Sequence, residues 1–460
     1  MSTTDSLPPL PALVARLPPE AADLFGRLGA LPLVRLDHAE IAAAAGQTRT
    51  AVTPALRALT RAGLLRQVGR TELFRLRRSR VHAYAAQRAL DLDEKTRADT
   101  LGRWAECLLR TATAAGKTVS SRRPLPRIYR HGAPDGGLPF ASDDAAAATA
   151  WLHWRRADLT ATANAAWERG LYDLVRQLAD TLVPLVERQP HDGWLHELLD
   201  IDGYGLLAAE ATHDVVAQSR LYFVSSGIHH YHVEADSNED DITLAAQSVR
   251  KGLSLIDGTQ PAASLTSQAE AAQSAGRATA QIEGWIAIAA DHALARRWGT
   301  ALPFLGQARA LADMTNDVHG QVMSRLWAAR ITLEIGQPNH ALTILHDAAK
   351  LCRGAWDVFL GGQLAELSGR AYQATGDTAS ATVHLQLAQT AFLDCAAPYW
   401  EARCLLRLAQ LHQGPESQRL HDEAQKVCQQ ADIPLPELPR DKQLGPLAMA
   451  TETAVSETTS

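Results

Sequence analysis

Between Gln281 and Gln389, small and large apolar residues return at a spacing of forty positions. Ala301, Ala341 and Ala381 keep that spacing, as do Leu305, Leu345 and Leu385, and Ala308, Ala348 and Ala388. Gly336 and Gly376 repeat at the turn before the alanine. Small residues suit places where two helices cross closely, and large ones fill the holes between them. A fixed period in this range predicts an α-solenoid of helix pairs, each unable to bury its apolar face alone.

Near the N-terminus the pattern changes. Leu24, Phe25 and Leu28 share one face of a helix starting near Pro19 and Glu20. The stretch HAEIAAAAG (38–46) reads as a helix capped by Asp37 and stopped by Gly46. A further helix runs from Thr48 or Thr50 to Ala62 with Val52, Leu56 and Leu59 inward, and Pro54 is tolerated in its first turn. Leu64 to Val68 and Leu73 to Leu76 read as short strands around a turn at Gly69 and Arg70. Helix, helix–turn–helix, then β-hairpin is the order of a winged helix.

The expected organisation is mainly α: residues 1–19 disordered, 20–90 the winged helix, and 91–141 a helix and a Pro/Gly-rich linker. Residues 142–432 form the solenoid and 433–460 a disordered tail. Helices resume at Asp143 after the linker, with Gly170 in the first turn between them. Residues 195–280 are helical by period but match the repeat weakly.

The repeat units resemble the tetratricopeptide repeat. The first carries Trp285, Ile288, Ala289, Trp298, Ala301, Leu305 and Ala308, and the third Gly369, Tyr372, Gly376, Ala381, Leu385 and Ala388. The usual unit is about 34 residues, so the longer period implies longer helices or longer links. By repeat position, the inner groove is expected to expose Glu283, Ile286, Met323, Leu326, Arg330, Gln363, Glu366 and Arg370. That mixture suits a peptide or helix ligand. It equally suits a solvated groove.

A wider resemblance covers the N-terminal half. FASDDAAAATAWLHWRRADLTATANAA (140–166), with Phe140, Trp151, Leu152, Arg156, Ala157 and Leu159, resembles the start of the repeats in STAND-type signal-transduction ATPases. GLYDLVRQLADTLVPLVE (170–187) continues the match, and Tyr84-Ala85 matches the helix after the family's winged helix. The resemblance is best to actinobacterial antibiotic regulators. The family's ATPase module has no counterpart ahead of the winged helix, and Arg78-Ser79 stands near its nucleotide-sensing His-Asp pair. The resemblance therefore implies a nucleotide-independent relative of the family's C-terminal half.

Charge sharpens the picture at one place. From Arg49 to Arg80 there are nine arginines (Arg49, Arg57, Arg61, Arg66, Arg70, Arg75, Arg77, Arg78 and Arg80) against Glu72. The segment carries +8, leaving −14 for the rest of a chain of net charge −6. Such asymmetry points to an anionic partner. If the winged helix binds DNA, Thr48, Arg49, Thr50, Thr53, Arg57 and Arg61 lie at bases or phosphates, and Arg66 and Arg70 place the wing. The alternative is a structural spacer, with arginine simply the chain's default base.

Other motifs fail on context. TATAAGKT (111–118) ends like a phosphate-binding loop but opens on Thr111 within a helix, so Gly116 reads as a helix stop rather than a nucleotide site. His229, His230 and His232, followed by Glu234 and Asp236, do not share one helix face. DSNEDD (236–241) lacks the glycine and the glutamate a calcium loop requires at Asp241 and Gln247, and reads as an acidic inter-helix loop. Five cysteines in 460 residues read as reduced thiols. No secretory signal and no apolar run of about 20 residues is evident.

These observations favour a cytosolic, non-enzymatic regulator without cofactor or metal. In it the solenoid binds a protein or peptide and controls a winged helix that binds double-stranded DNA. The alternatives are a pure adaptor with a structural winged helix and, second, a metal-dependent or other enzyme built around His229–His232.

Overall fold

The computed structural model describes residues 9–32, 35–68, 73–77, 79–133, 136–188, 195–236, 239–256, 268–352, 357–436 and 438. The N-terminal body begins with helices α1 (Leu10–Val14) and α2 (Pro19–Gly29), strand β1 (Arg35–Asp37) and helices α3 (His38–Ala45) and α4 (Arg49–Arg61). Strands β2 (Leu65–Gln67) and β3 (Leu73–Leu76) and helices α5 (Ser79–Ala89) and α6 (Glu94–Val119) follow. Asp37 caps α3 reciprocally: its carboxylate accepts from Glu40 N at 2.8 Å, while Glu40 accepts from Asp37 N at 2.8 Å. Thr48 Oγ1 accepts from Ala51 N at 3.2 Å and so starts α4.

The strands form a three-stranded antiparallel sheet in the order β1-β3-β2. β1 departs from the sequence reading, which took Asp37 only as the cap of α3. Three residues are too few for alternation to show, and the partner of Leu36 is Phe74, far along the chain.

Of residues 1–19, expected to be disordered, 9–19 are described and pack on the core. Val14 is buried, and Leu10 and Leu17 pack against the same core as Leu24, Phe25, Ile41 and Leu59. One buried cluster also runs across residues 91 and 142. α6 buries Leu101, Trp104 and Leu108 in a core that continues into α7 (Ala145–Trp167) and α8 (Tyr172–Ala179). Gly116 does not stop α6, which continues through Val119 to a cap at Ser120. The segment 111–118 is thus helical throughout.

Helices α9 (Val183–Arg188), α10 (Leu195–Ala211), α11 (Val215–Asp236), α12 (Glu239–Ile256) and α13 (Gln268–Leu294) lead into the regular array. That array comprises α14 (Trp298–Met314), α15 (Val318–Glu334), α16 (Pro338–Cys352), α17 (Val358–Thr375), α18 (Thr378–Asp394), α19 (Pro398–Leu411) and α20 (Pro415–Ala431). Each helix packs on the next in the manner of an α-solenoid. The period of forty is explained by helix length. α14, α15 and α18 each hold 17 residues, and the turns are short.

The turn before each periodic alanine holds a left-handed residue, Arg296 at φ 56°, Gly336 at φ 80° and Gly376 at φ 83°, and the turns after α14 and α18 hold others, Asn316 at φ 49° and Ala396 at φ 54°. Glycine takes this conformation at no steric cost, which explains its return at 336 and 376. The nine periodic alanines and leucines are all buried. A Cβ on Gly369 would lie 2.7 Å from Leu385 Cγ, so the small residue sets how closely α17 and α18 cross.

Part of the segment expected to be a disordered tail also packs on the core. Ile433 is buried, and Leu435 and Leu438 pack on the cluster of Phe392, Trp400 and Leu405. Beyond 438, the expected tail lies outside the described residues.

Candidate functional site

The segment expected to be a linker crosses the inner side of the solenoid as an extended strap. Residues 120–130 contain no helix or strand, yet Leu125 is buried. Ser121 donates from both N and Oγ to Asp357 Oδ2 at 2.8 Å, and its hydroxyl lies 3.0 Å from His319 Nδ1. Asp180 accepts from Arg122 at 2.8 Å, Arg127 at 3.0 Å and the backbone N of Leu125 at 2.8 Å. Glu283 is shared by Arg122 at 3.0 Å and Arg220 at 2.9 Å. Arg123 donates to the carbonyls of Asn316 at 2.7 Å and Thr315 at 3.3 Å.

These carboxylates are tuned by their partners. Burial opposes ionisation of Asp180, but Arg122, Arg127 and Arg220 outweigh it and hold the carboxyl well below the ordinary range. Burial likewise opposes ionisation of Glu283, and Arg122 and Arg220 pull its pKa down. The strap is thus pinned by buried, charge-assisted hydrogen bonds. Pro124 and Pro126 between the arginines keep its backbone extended.

Beside the strap lies a cavity of about 200 Å³. Six of the expected groove residues line it: Glu283 and Ile286 from α13, Met323, Leu326 and Arg330 from α15, and Gln363 from α17. Arg122, Arg123, Arg220, Phe223, Trp327 and Trp400 complete much of the wall.

Two expected groove residues are elsewhere. Glu366 is buried between Arg407 at 2.7 Å and Arg403 at 3.4 Å, so it turns into the protein and not into the groove. Burial works against its charge, yet Arg403 and Arg407 bring its pKa to about 2. Arg370 pairs with Glu334 at 2.9 Å, outside the cavity wall. The sequence reading missed the strap residues because their counter-ions are remote. Arg122 meets Asp180 58 positions away and Glu283 161 positions away. The one local signal was a pair of arginines followed by alternating prolines, a composition that also fits an exposed loop.

The basic N-terminal face is built by α4. Its apolar side, Val52, Ala55, Leu56 and Leu59, is buried. Thr50, Arg57 and Arg61 are exposed at helical spacing on the opposite side, together with Thr48 at the cap and Arg66 on β2. Thr53 is half-buried, and its hydroxyl donates to Arg49 O at 2.6 Å, so it is partly committed to the helix itself. Arg49 is also half-buried, beside the loop at Gly136, where a side chain would meet its Nη1 at 3.6 Å. Arg70 lies outside the described residues. This face is joined to the rest by the buried ion pair of Glu40 on α3 with Arg155 on α7. Burial is the larger influence on Glu40 and pushes it up to about 7 despite Arg155.

His229 sits half-buried on α11, while the side chains of His230, His232, Glu234 and Asp236 lie outside the described residues. The acidic stretch 236–241 is in part helical, since α12 begins at Glu239. Among the described residues, no three His, Cys, Asp or Glu side chains gather as a metal site would require. Among them also, no helix is long and apolar enough to cross a membrane. Four of the cysteines are buried, and burial raises their thiol pKa values.

No family model and no curated protein matches the chain. Among solved structures, it is similar to the STAND signal-transduction ATPase with a tetratricopeptide repeat sensor from Pyrococcus horikoshii. The identity is 12% and the TM-score 0.45, over 92% of this chain and 59% of that one.

Proposed function

We propose that this chain is a regulatory protein in which a tetratricopeptide-like solenoid receives a protein or peptide partner and governs an N-terminal winged helix that contacts double-stranded DNA. The observation that carries the reading is α4, which follows α3 through a tight turn. It buries one apolar face and leaves Arg57 and Arg61 exposed on the other. Arg66 extends the same basic character onto β2, at the base of the hairpin. Arginines so presented can clamp phosphates and form paired hydrogen bonds with guanine.

The arrangement of strands around α3 and α4 supports the winged-helix assignment, with β2 and β3 flanking the wing. Helices α13, α15 and α17 would offer the partner their inner faces. The reading places the chain in the cytoplasm and assigns it no catalytic step.

A second reading, an adaptor with a structural winged helix, is favoured by the core shared between α2–α6 and α7–α10. Gel-shift titration with genomic fragments over a salt series separates the two. DNA binding that weakens steeply with salt and is lost on combining Arg57→Ala with Arg61→Ala supports the first. Absence of binding even at low salt supports the adaptor.

A further inference from the structure

The cavity beside the strap has two properties that define an occupant. Its walls are chiefly apolar, and Ile286, Met323 and Trp327 remain only half-buried there. Its volume of about 200 Å³ exceeds the roughly 150 Å³ that accommodates a benzene ring. A body of one or two rings is therefore the matching size.

The polar edge has a definite sign. Arg122, Arg123, Arg220 and Arg330 line the cavity against the carboxylates of Glu283 and Asp317. Asp317 is already engaged in capping α15 through Gly320 N at 3.1 Å, and Glu283 is shared by two guanidinium groups. Arg123 is held by main-chain carbonyls, which are neutral acceptors. Asp180 behind Arg122 brings the carboxylates to three against four guanidinium groups, and in a low-dielectric wall the remaining positive excess favours an anion and disfavours a cation.

We propose that the cavity binds a small molecule with an apolar ring body and one anionic head group, the head directed to the arginine edge. The site is independent of the DNA contact proposed above, and its walls are the inner faces of α13, α15 and α17 offered to the partner, so the small molecule and the partner compete for them. Arg122 and Arg123 belong to the strap, so the occupant bears directly on the segment that joins α6 to the solenoid.

The probe for this site is naphthalene-1-sulfonate, titrated into the full chain by quenching of tryptophan fluorescence, since Trp327 and Trp400 line the cavity. Naphthalene, the same ring system without the sulfonate, is the companion probe. The expected result is one sulfonate probe per chain, bound at least tenfold more tightly than the neutral one. Arg123→Gln is expected to weaken the sulfonate probe about tenfold and leave the neutral one unchanged.

Gly227 lines the cavity, and a Cβ there meets nothing within 4 Å. Gly227→Phe therefore enters the space from α11 with its Cβ unobstructed, and is expected to reduce probe binding at least tenfold with an undiminished melting temperature. If that variant melts early, Ala287→Trp fills the same space from α13. Equal affinity for the two probes, wild-type binding by a folded filling variant, or no binding at all overturns the proposal.

Discussion

Asp180→Asn removes the anion on which the strap depends, and its effect follows from the geometry. The side chain is 1% exposed and accepts from two guanidinium groups and one backbone N–H. Asparagine offers one carbonyl oxygen and an NH₂ group, which must then face a donor. Removing one member of a buried ion pair costs about 3–5 kcal/mol. Arg122 keeps Glu283, so the lower end, about 3 kcal/mol, applies here.

At 1.4 kcal/mol per decade, that loss makes local opening of the strap about a hundredfold more frequent. Limited trypsin digestion under native conditions reads this opening as cleavage after Arg122 and Arg127, since cleavage follows the open population when reclosing is fast. Asp347→Asn, which removes only an exposed pair with Lys350, is the control and should leave the rate unchanged. A folded Asp180→Asn protein cut within threefold of the wild-type rate refutes the reasoning. The pH dependence has a fixed sign. The folded pKa lies below the unfolded value of 3.8, so the strap's hold is complete at neutral pH and fades only as acid is added below that value.

Two further outcomes test other parts of the structure. A Cβ on Gly29 would lie 1.9 Å from Ala85 O, so Gly29→Ala should force α2 from α5 and cost about 2 kcal/mol in urea unfolding of the N-terminal body. An unchanged midpoint would contradict the close crossing. Asp202 is pushed up to about 7 by burial, with the Ser225 hydroxyl as its hydrogen-bond donor. Its folded pKa lies above its unfolded one, so its contribution is favourable in acid and is lost as pH rises through about 7. Asp202→Asn should stabilise by about 2 kcal/mol at pH 5 and by about 4 kcal/mol at pH 8, read by thermal melts at both values. Equal effects at the two pH values would exclude a buried, titrating carboxyl.

The solenoid was legible because its packing is local and repeated. Ala301, Ala341 and Ala381 stand at equivalent helix crossings, and the left-handed turns at Gly336 and Gly376 name their own residue. The caps at Asp37 and Thr48 were legible for the same reason, since each bonds three residues ahead. What escaped depends on distant partners. β1 exists because β3 pairs with it, and Glu366 is internal because Arg403 and Arg407 come from α19. The strap escaped most completely, because proline and arginine look alike in a solvated linker and in an extended segment pinned by remote carboxylates. Six groove residues still meet at one cavity, since helix position alone fixes which side of the solenoid they face.

The central claim is that the exposed arginines of α4 and β2 hold DNA, and the salt dependence of duplex binding tests it most directly. Each phosphate contact contributes roughly 0.9 to the slope of log affinity against log salt. Fluorescence anisotropy should therefore show the wild-type slope reduced by roughly 2–3 in an Arg57→Ala, Arg61→Ala, Arg66→Ala triple variant, with weaker binding throughout. A wild-type chain that leaves the duplex unbound at 50 mM salt, or a triple variant with the wild-type slope, would contradict the account.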